Sequence, residues 1–142
     1  MALVLPILML IVIGILKFGV LYNNYLQLTD AVRSGARQLA IERGQGDPCG
    51  DAGTQIGTSA AALNQTITAT MNMSGDTTDN YQDVIAAAGG GTKTYTPSGT
   101  CPTLVSGSAA TVKATYPCDL QIFGINFFSS CTLNASATER IE

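Results

Sequence analysis

The chain has 142 residues, the length of one small domain, and it contains four cysteines but neither histidine nor tryptophan. Imidazole chemistry is therefore excluded. Only 12% of the residues are charged, 7 basic against 10 acidic, and this balance argues against a basic face that binds nucleic acid. Apolar side chains occupy 18 of the first 22 positions, whereas the rest of the chain has an ordinary composition.

Residues 1–22 are predicted to form a hydrophobic helix. A helix of this length spans about 33 Å, enough to cross a hydrocarbon core of about 30 Å. Lys17 lies near one end, from which its ammonium group can reach the membrane interface, and Pro6 is expected to bend the helix near its start rather than break it. A cleaved signal peptide is the alternative, but no small-residue cleavage site follows. The residues expected to contact lipid or other such helices are Leu3, Leu5, Pro6, Leu8, Leu10, Ile13, Gly14, Leu16 and Phe18.

Residues 23–43 are predicted to continue the same helix as an amphipathic half. Apolar or small residues recur here at alternating spacings of four and three, the period of a packed helical seam. This seam is expected to pack on the domain that follows, and we expect the helix to end near Arg43 and Gly44, with Gly44 or Gly46 as a left-handed stop. The residues predicted to make the packing contacts are Leu21, Tyr25, Leu28, Val32 and Leu39.

Residues 44–142 are predicted to form a globular domain held together by disulfides. The four cysteines lack C-x-x-C spacing and a histidine partner, so a zinc site is disfavoured, but three disulfide connectivities are open. We prefer Cys49–Cys101 with Cys118–Cys131, because the second pair would close a 14-residue loop between two plausible strands. Disulfides imply an oxidising compartment, and therefore an extracellular domain.

The clearest strands lie near the C-terminus. Residues 110–116 and 132–138 alternate apolar and polar side chains. Paired antiparallel, they would present one apolar face to the amphipathic half of the helix. Residues 54–73, with apolar side chains at helical spacing, are predicted to form a second helix, and residues 81–88 a short helix or strand. The predicted fold class is α+β, a long N-terminal helix packed on a small antiparallel sheet.

Between the last two cysteines, half of residues 119–130 are apolar. This segment either closes the core of the domain or contacts a neighbouring subunit. The residues proposed for such a contact are Ile122, Phe123, Phe127 and Phe128.

No catalytic constellation stands out in the sequence, and no cofactor is predicted. Asp76, Asp79 and Asp83 could gather around Ca²⁺, but their spacing is not that of an EF-hand and a solvated polar loop is the favoured interpretation. The glycine-rich residues 89–91 lack the order of a phosphate-binding loop and are predicted to form a turn.

At both ends the sequence resembles the TadE-like family of pilin-like proteins, from the Tad branch of type IV pilus systems. The segments that carry the resemblance are residues 2–6, 18–22, 28–31 and 33–37 in the helix, and 114–117 and 133–142 in the closing strands. Family members carry a basic leader, a glycine at the cleavage point and a glutamate shortly before the Ala-Leu-Val-Leu-Pro text. Either the sequence begins a few residues late or that glutamate is missing.

The resemblance implies a non-enzymatic structural subunit, a pilin that polymerises as a homo-oligomeric filament through its hydrophobic helix. It implies insertion in the inner membrane before assembly, processing by a prepilin peptidase, contact with the pilus assembly machinery, and a final position at the cell surface. A minor pilin that primes or caps a pilus of another subunit is one alternative. A monomeric, membrane-tethered adhesive or ligand-binding module is another.

Overall fold

A computed structural model of the chain describes residues 4–73, 81–88, 92–118, 121–122, 125–126 and 131–142. Two helices, α1 (Val4–Ile41) and α2 (Pro48–Ser59), precede the strands β1 (Ile67–Met73), β2 (Tyr81–Ala88) and β3 (Thr92–Ser98). The remaining strands are β4 (Ala109–Pro117), β5 (Gln121–Ile122), β6 (Ile125–Asn126) and β7 (Thr132–Arg140). The predicted α+β arrangement, a long N-terminal helix with a small antiparallel sheet, is confirmed.

The main sheet has five strands in the order β3-β2-β1-β4-β7, and every neighbouring pair is antiparallel. The short strands β5 and β6 form a separate antiparallel pair. Both helices contact the main sheet, α1 on β4 and β7 and α2 chiefly on β2 and β3. The core therefore lies between the two helices and one face of the sheet.

The predicted pairing of the C-terminal strands is present as β4 and β7. Val112 is opposite Ala137, Ala114 opposite Ala135, and Tyr116 opposite Leu133. Along β4 the side chains of Ala110, Val112, Ala114 and Tyr116 are buried in strict alternation, because successive residues of a strand point to opposite faces. The face formed by these residues is the one that α1 covers, as its period-two pattern predicts.

The predicted helix over residues 54–73 is wrong in position and extent. The helix in this region is α2, which ends at Ser59, and residues 67–73 form the central strand β1. Ile67, Ala69, Met71 and Met73 are buried while the residues between them are partly exposed, so the strand period overrides the helical one. Thr68 and Thr70 favour this outcome, since β-branched side chains suit a strand.

The start of α2 has a local cause in the residues before it. Asp47 occupies the N-cap, where a carboxylate oxygen accepts a hydrogen bond of 3.0 Å from the backbone N–H of Gly50. Pro48 follows at the first helical position, where its missing N–H costs nothing. The preceding helix α1 ends at Ile41, two residues before the predicted end, and Gly44 then adopts the left-handed conformation with φ of 86°.

The two helices approach each other closely at one glycine. Gly35 of α1 is buried against α2, and a Cβ atom there would lie 2.8 Å from Cδ1 of Ile56 and 3.3 Å from the carbonyl oxygen of Ala52. Glycine at this position therefore sets the distance between α1 and α2. The neighbouring buried residues Ala31, Ala36 and Ala40 are also small, which allows the same close approach to the sheet.

Gly35→Ala is expected to destabilise the domain. The overpacking against Ile56 costs about 1–3 kcal/mol, and the gain in helix propensity of about 1 kcal/mol offsets only part of it. We expect urea unfolding of the detergent-solubilised chain to show a lower midpoint with an unchanged slope.

The matched control is Gly19→Ala in the same helix, where a Cβ atom would have nothing within 4 Å. This variant should unfold at the same urea concentration as the wild type or a slightly higher one. Equal destabilisation by both substitutions would contradict the close contact at Gly35.

Candidate functional site: the exposed half of the long helix

The first half of α1 is almost entirely outside the core. Its buried residues begin only at Leu28, and the most apolar part of the helix has no buried residue. Length and composition make α1 capable of crossing a membrane. An apolar surface this large is not stable in water, because roughly 25 cal/mol of free energy is lost for each Å² left exposed. The candidate functional site is therefore this exposed surface.

The structure describes all but one of the residues predicted to contact lipid or other helices. Leu5, Leu8, Leu10, Leu16 and Phe18 are exposed by 61–69%, Pro6 and Gly14 are exposed, and Ile13 is half-buried. Leu3 lies outside the described residues. Pro6 lies within the described part of α1, so it does not break the helix.

The residues predicted to pack α1 on the domain divide into two groups. Leu28, Val32 and Leu39 are fully buried in the core. Tyr25, in contrast, is 41% exposed, and Leu21 is only half-buried, so neither belongs to the core. The domain covers α1 only from about Leu28 onward, so the apolar seam of the helix extends beyond the edge of the sheet.

Both disulfides lie in the domain that packs on the second half of α1. The structure pairs Cys49 with Cys101, with Cα atoms 5.8 Å apart, and Cys118 with Cys131, with Cα atoms 5.3 Å apart. Beside the second bridge the backbone N–H of Cys118 donates to the carbonyl oxygen of Cys131 at 3.1 Å. The first bridge joins the N-terminal turn of α2 to the segment after β3, and the second closes the connection between β4 and β7.

The proposed subunit contact between the last two cysteines falls largely outside the described residues. Phe123, Phe127 and Phe128 are not described, and for Ile122 the structure gives only its backbone position, paired with Ile125 in the β5–β6 ribbon. This contact stays a prediction from the sequence.

A buried carboxyl group lies beneath α2. Asp83 of β2 is 1% exposed, and a Cβ atom on Gly53 would collide with its Oδ2 atom. Its Oδ1 atom has no hydrogen-bond partner among the described residues. Burial raises the pKa of Asp83, a backbone hydrogen bond from Thr96 opposes this rise, and the negative charge of Asp47 adds to it. The carboxyl is thus held in an environment that favours its protonated form.

Two tyrosines share this environment. Burial, then Asp83 and then Asp47, raises the pKa of Tyr81 to about 12. Burial and Asp83 also raise the pKa of Tyr95, whose side chain packs against Gly57 of α2. Gly53 and Gly57 are four residues apart and so lie on one face of α2, where they leave room for Asp83 and Tyr95. Two glycines four residues apart are therefore a sequence signal for close packing on this face of α2.

The described residues contain no cluster of side chains placed to hold a metal ion. Among them, no three cysteine, aspartate or glutamate side chains converge on one point. Asp76 and Asp79 of the Ca²⁺ hypothesis lie outside the described residues, and Asp83 is directed under α2. A cleft of about 580 Å³ beside the first disulfide is lined by residues 43–45, 48 and 101–104, with Arg43 as its charged group.

Comparison with known proteins finds a similarity in the N-terminal helix. Residues 1–37 match the model of the family described as TadE-like protein, which confirms the resemblance found in the sequence. The match covers about a quarter of the chain and includes the whole exposed half of α1. No curated protein matches the chain, and no solved structure matches it either.

Asp83→Asn is expected to change how stability depends on pH. The pKa of Asp83 is higher in the folded state than in the unfolded state, so its favourable contribution is complete below the unfolded value near 4 and is lost as pH rises through the folded value. Asparagine has no such ionisation and keeps an oxygen that can accept from Thr96. The variant should therefore gain stability relative to wild type between pH 4 and pH 7.

Thermal unfolding of both proteins at pH 4, 5, 6 and 7 measures this effect. Asp51→Asn, a substitution of an exposed aspartate in α2, is the control and should leave the wild-type profile unchanged. An Asp83→Asn variant with a constant difference in Tm from wild type across this range would contradict the raised pKa.

Proposed function

We propose that this chain is a structural, pilin-like subunit that polymerises through the apolar half of α1 into a Tad or type IV-like pilus. The observation that carries the proposal is the conjunction of two facts about one segment. The most apolar part of α1 has no buried residue within its own chain, and that same segment lies within the match to the TadE-like family. This family is structural rather than enzymatic, so the proposal requires no active site.

The exposed surface of α1 suits two successive environments. In a bilayer, lipid covers it, since α1 is long enough to span the hydrocarbon core. In a filament, the same side chains pack against the helices of other copies. The exchange costs little in apolar burial because lipid tails are about as apolar as leucine side chains. We propose that the chain is held in the inner membrane first and is then moved to the cell surface.

The domain supports this proposal through its charge and its disulfides. Charged residues make up 12% of the chain, and identical copies packed side by side repel less when each carries few like charges. Two disulfides are typical of a domain that folds in an oxidising compartment. The proposed partners are further copies of this chain, the inner membrane, a prepilin peptidase and the pilus assembly machinery.

The copy number of the chain in sheared surface filaments tests the proposal. Mechanical shearing of cells, followed by pelleting of filaments and quantitative mass spectrometry, should recover this chain as a principal component. Recovery at trace level beside another abundant pilin would identify the minor-pilin alternative instead. Complete retention in the membrane fraction would overturn the proposal in favour of a membrane-tethered module.

Leu10→Asp is expected to abolish membrane residence and filament formation together. Leu10 is 67% exposed within the chain, so the domain should fold normally, but in lipid or in a helix bundle the new carboxylate costs several kcal/mol. Ile13→Asp should behave in the same way. The measurements are fractionation, filament yield after shearing, and the Tm of the solubilised domain.

Leu10→Met is the matched control, because it keeps an apolar side chain of similar volume. It should assemble like wild type. Wild-type filament yield from the Leu10→Asp variant would contradict the proposed role of α1.

A further inference from the structure

Lys17 is the one charged side chain in the exposed apolar half of α1. No other charged side chain occurs in residues 1–29. Lys17 lines a shallow groove of about 290 Å³ on the helix surface, together with Ile13, Leu16, Val20, Leu21 and Asn24. When another helix covers this face, the ammonium group loses water and requires an acidic or polar partner. The groove does not provide a carboxylate.

Asp30 is the one acidic residue of α1. Its side chain is 79% exposed, and its one ion pair among the described residues, to Arg33, is a long contact of 4.0 Å between two exposed groups. Such an exposed pair at the distance limit contributes little, so Asp30 is available to a stronger partner. Its neighbours Ala31 and Val32 are buried in the core while Asp30 is exposed, so Asp30 lies on the face of α1 that points away from the core.

Lys17 and Asp30 cannot meet within one helix. Thirteen residues separate them, which corresponds to about 20 Å along the helix axis and about 140° around it. Between two parallel copies the same geometry is favourable. When two parallel helices have the same orientation, the contacting faces of the two helices are about 180° apart around the helix axis. Lys17 and Asp30 are about 140° apart, so Lys17 of one helix can face Asp30 of the other. A shift of about 20 Å along the axis then brings the two charges to one level.

We propose that Lys17 of one copy pairs with Asp30 of a neighbouring copy in the filament, and that this pair sets an axial offset of about 20 Å between the two helices. The proposal rests on the proposed function and specifies the register of that assembly. A second copy is the occupant favoured by charge complementarity. Of the acidic residues on the domain, Glu139 already lies 4.0 Å from Arg37 and its side chain is less exposed than that of Asp30, 40% against 79%.

The pair also distinguishes the assembled state from the membrane state. Copies that lie at equal depth in a bilayer place Lys17 beside Lys17 and keep Asp30 about 20 Å away. Lys17 then reaches the interface with its flexible stem. The pair forms only after one copy has moved outward relative to its neighbour. It therefore stabilises the axially displaced arrangement of the two helices in the filament.

Charge reversal tests the pair. Lys17→Glu and Asp30→Lys should each lower the yield of sheared filaments by about tenfold or more, because each places like charges in contact. The double variant Lys17→Glu/Asp30→Lys should restore a yield close to wild type. Lys17→Arg, which keeps the charge, is the control and should assemble. Domain Tm and membrane insertion must be unchanged in all variants.

Crosslinking between copies provides the independent measurement. All four native cysteines are paired, so cysteines introduced at positions 17 and 30 are the reactive thiols. Copies with Lys17→Cys and copies with Asp30→Cys, carrying different tags and expressed together, should be joined by a short bis-maleimide. The product should appear when assembly is active and disappear when the assembly machinery is absent. Lys17→Cys with Asp51→Cys is the control pair.

The outcomes separate the two proposals. If wild-type chain forms filaments but the double variant does not recover, or if the single variants assemble like wild type, the Lys17–Asp30 pair is wrong while the function stands. Crosslinking of positions 17 and 30 that persists without assembly also overturns the pair. If wild-type chain is absent from filaments, the proposed function fails and the pair fails with it.

Discussion

The whole structure depends on a mismatch of length between one helix and the domain that carries it. A helix of 38 residues is about 57 Å long, whereas a strand of nine residues spans about 30 Å. The sheet can therefore cover only part of α1, and burial begins at Leu28. The part that remains uncovered is also the most apolar part of the chain. The domain therefore leaves an apolar surface of α1 uncovered. In the proposed function, lipid covers this surface first and other copies of the chain cover it afterwards.

The described domain is built so that the covered part of α1 lies close to it. Gly35 permits close contact with α2, and the buried residues of α1, which contacts β4 and β7, include Ala31, Ala36 and Ala40. Beneath α2, two glycines leave space for polar side chains of β2 and β3. Small residues rather than large ones thus determine where the elements meet.

Sequence patterns predicted the elements whose period is unambiguous. The long helix and the β4–β7 pair followed from apolar spacing alone, since each keeps one period over its whole length. The helix predicted over residues 54–73 was wrong because residues 67–73 fit the period of a strand as well as that of a helix. Their pairing on both sides, as the central strand β1, favours the strand. Asp47 and Pro48, an N-cap residue followed by a proline at the first helical position, indicate in the sequence where α2 begins. The spacing of Gly53 and Gly57 marks a face of α2 that can be approached closely, but it does not show that Asp83, thirty residues from Gly53, is the residue that approaches it.

The disulfide between Cys49 and Cys101 has a mechanical consequence. Its sequence separation is 52 residues, and these include α2 and the first three strands. Without the bridge, a chain pulled from α1 could lengthen by as much as about 180 Å when this stretch is drawn out. With the bridge intact, a pulling force bypasses that stretch and passes from the end of α1 to the segment before β4 through one covalent bond. The bridge therefore limits how far the chain can extend under tension before its C-terminal strands bear the load.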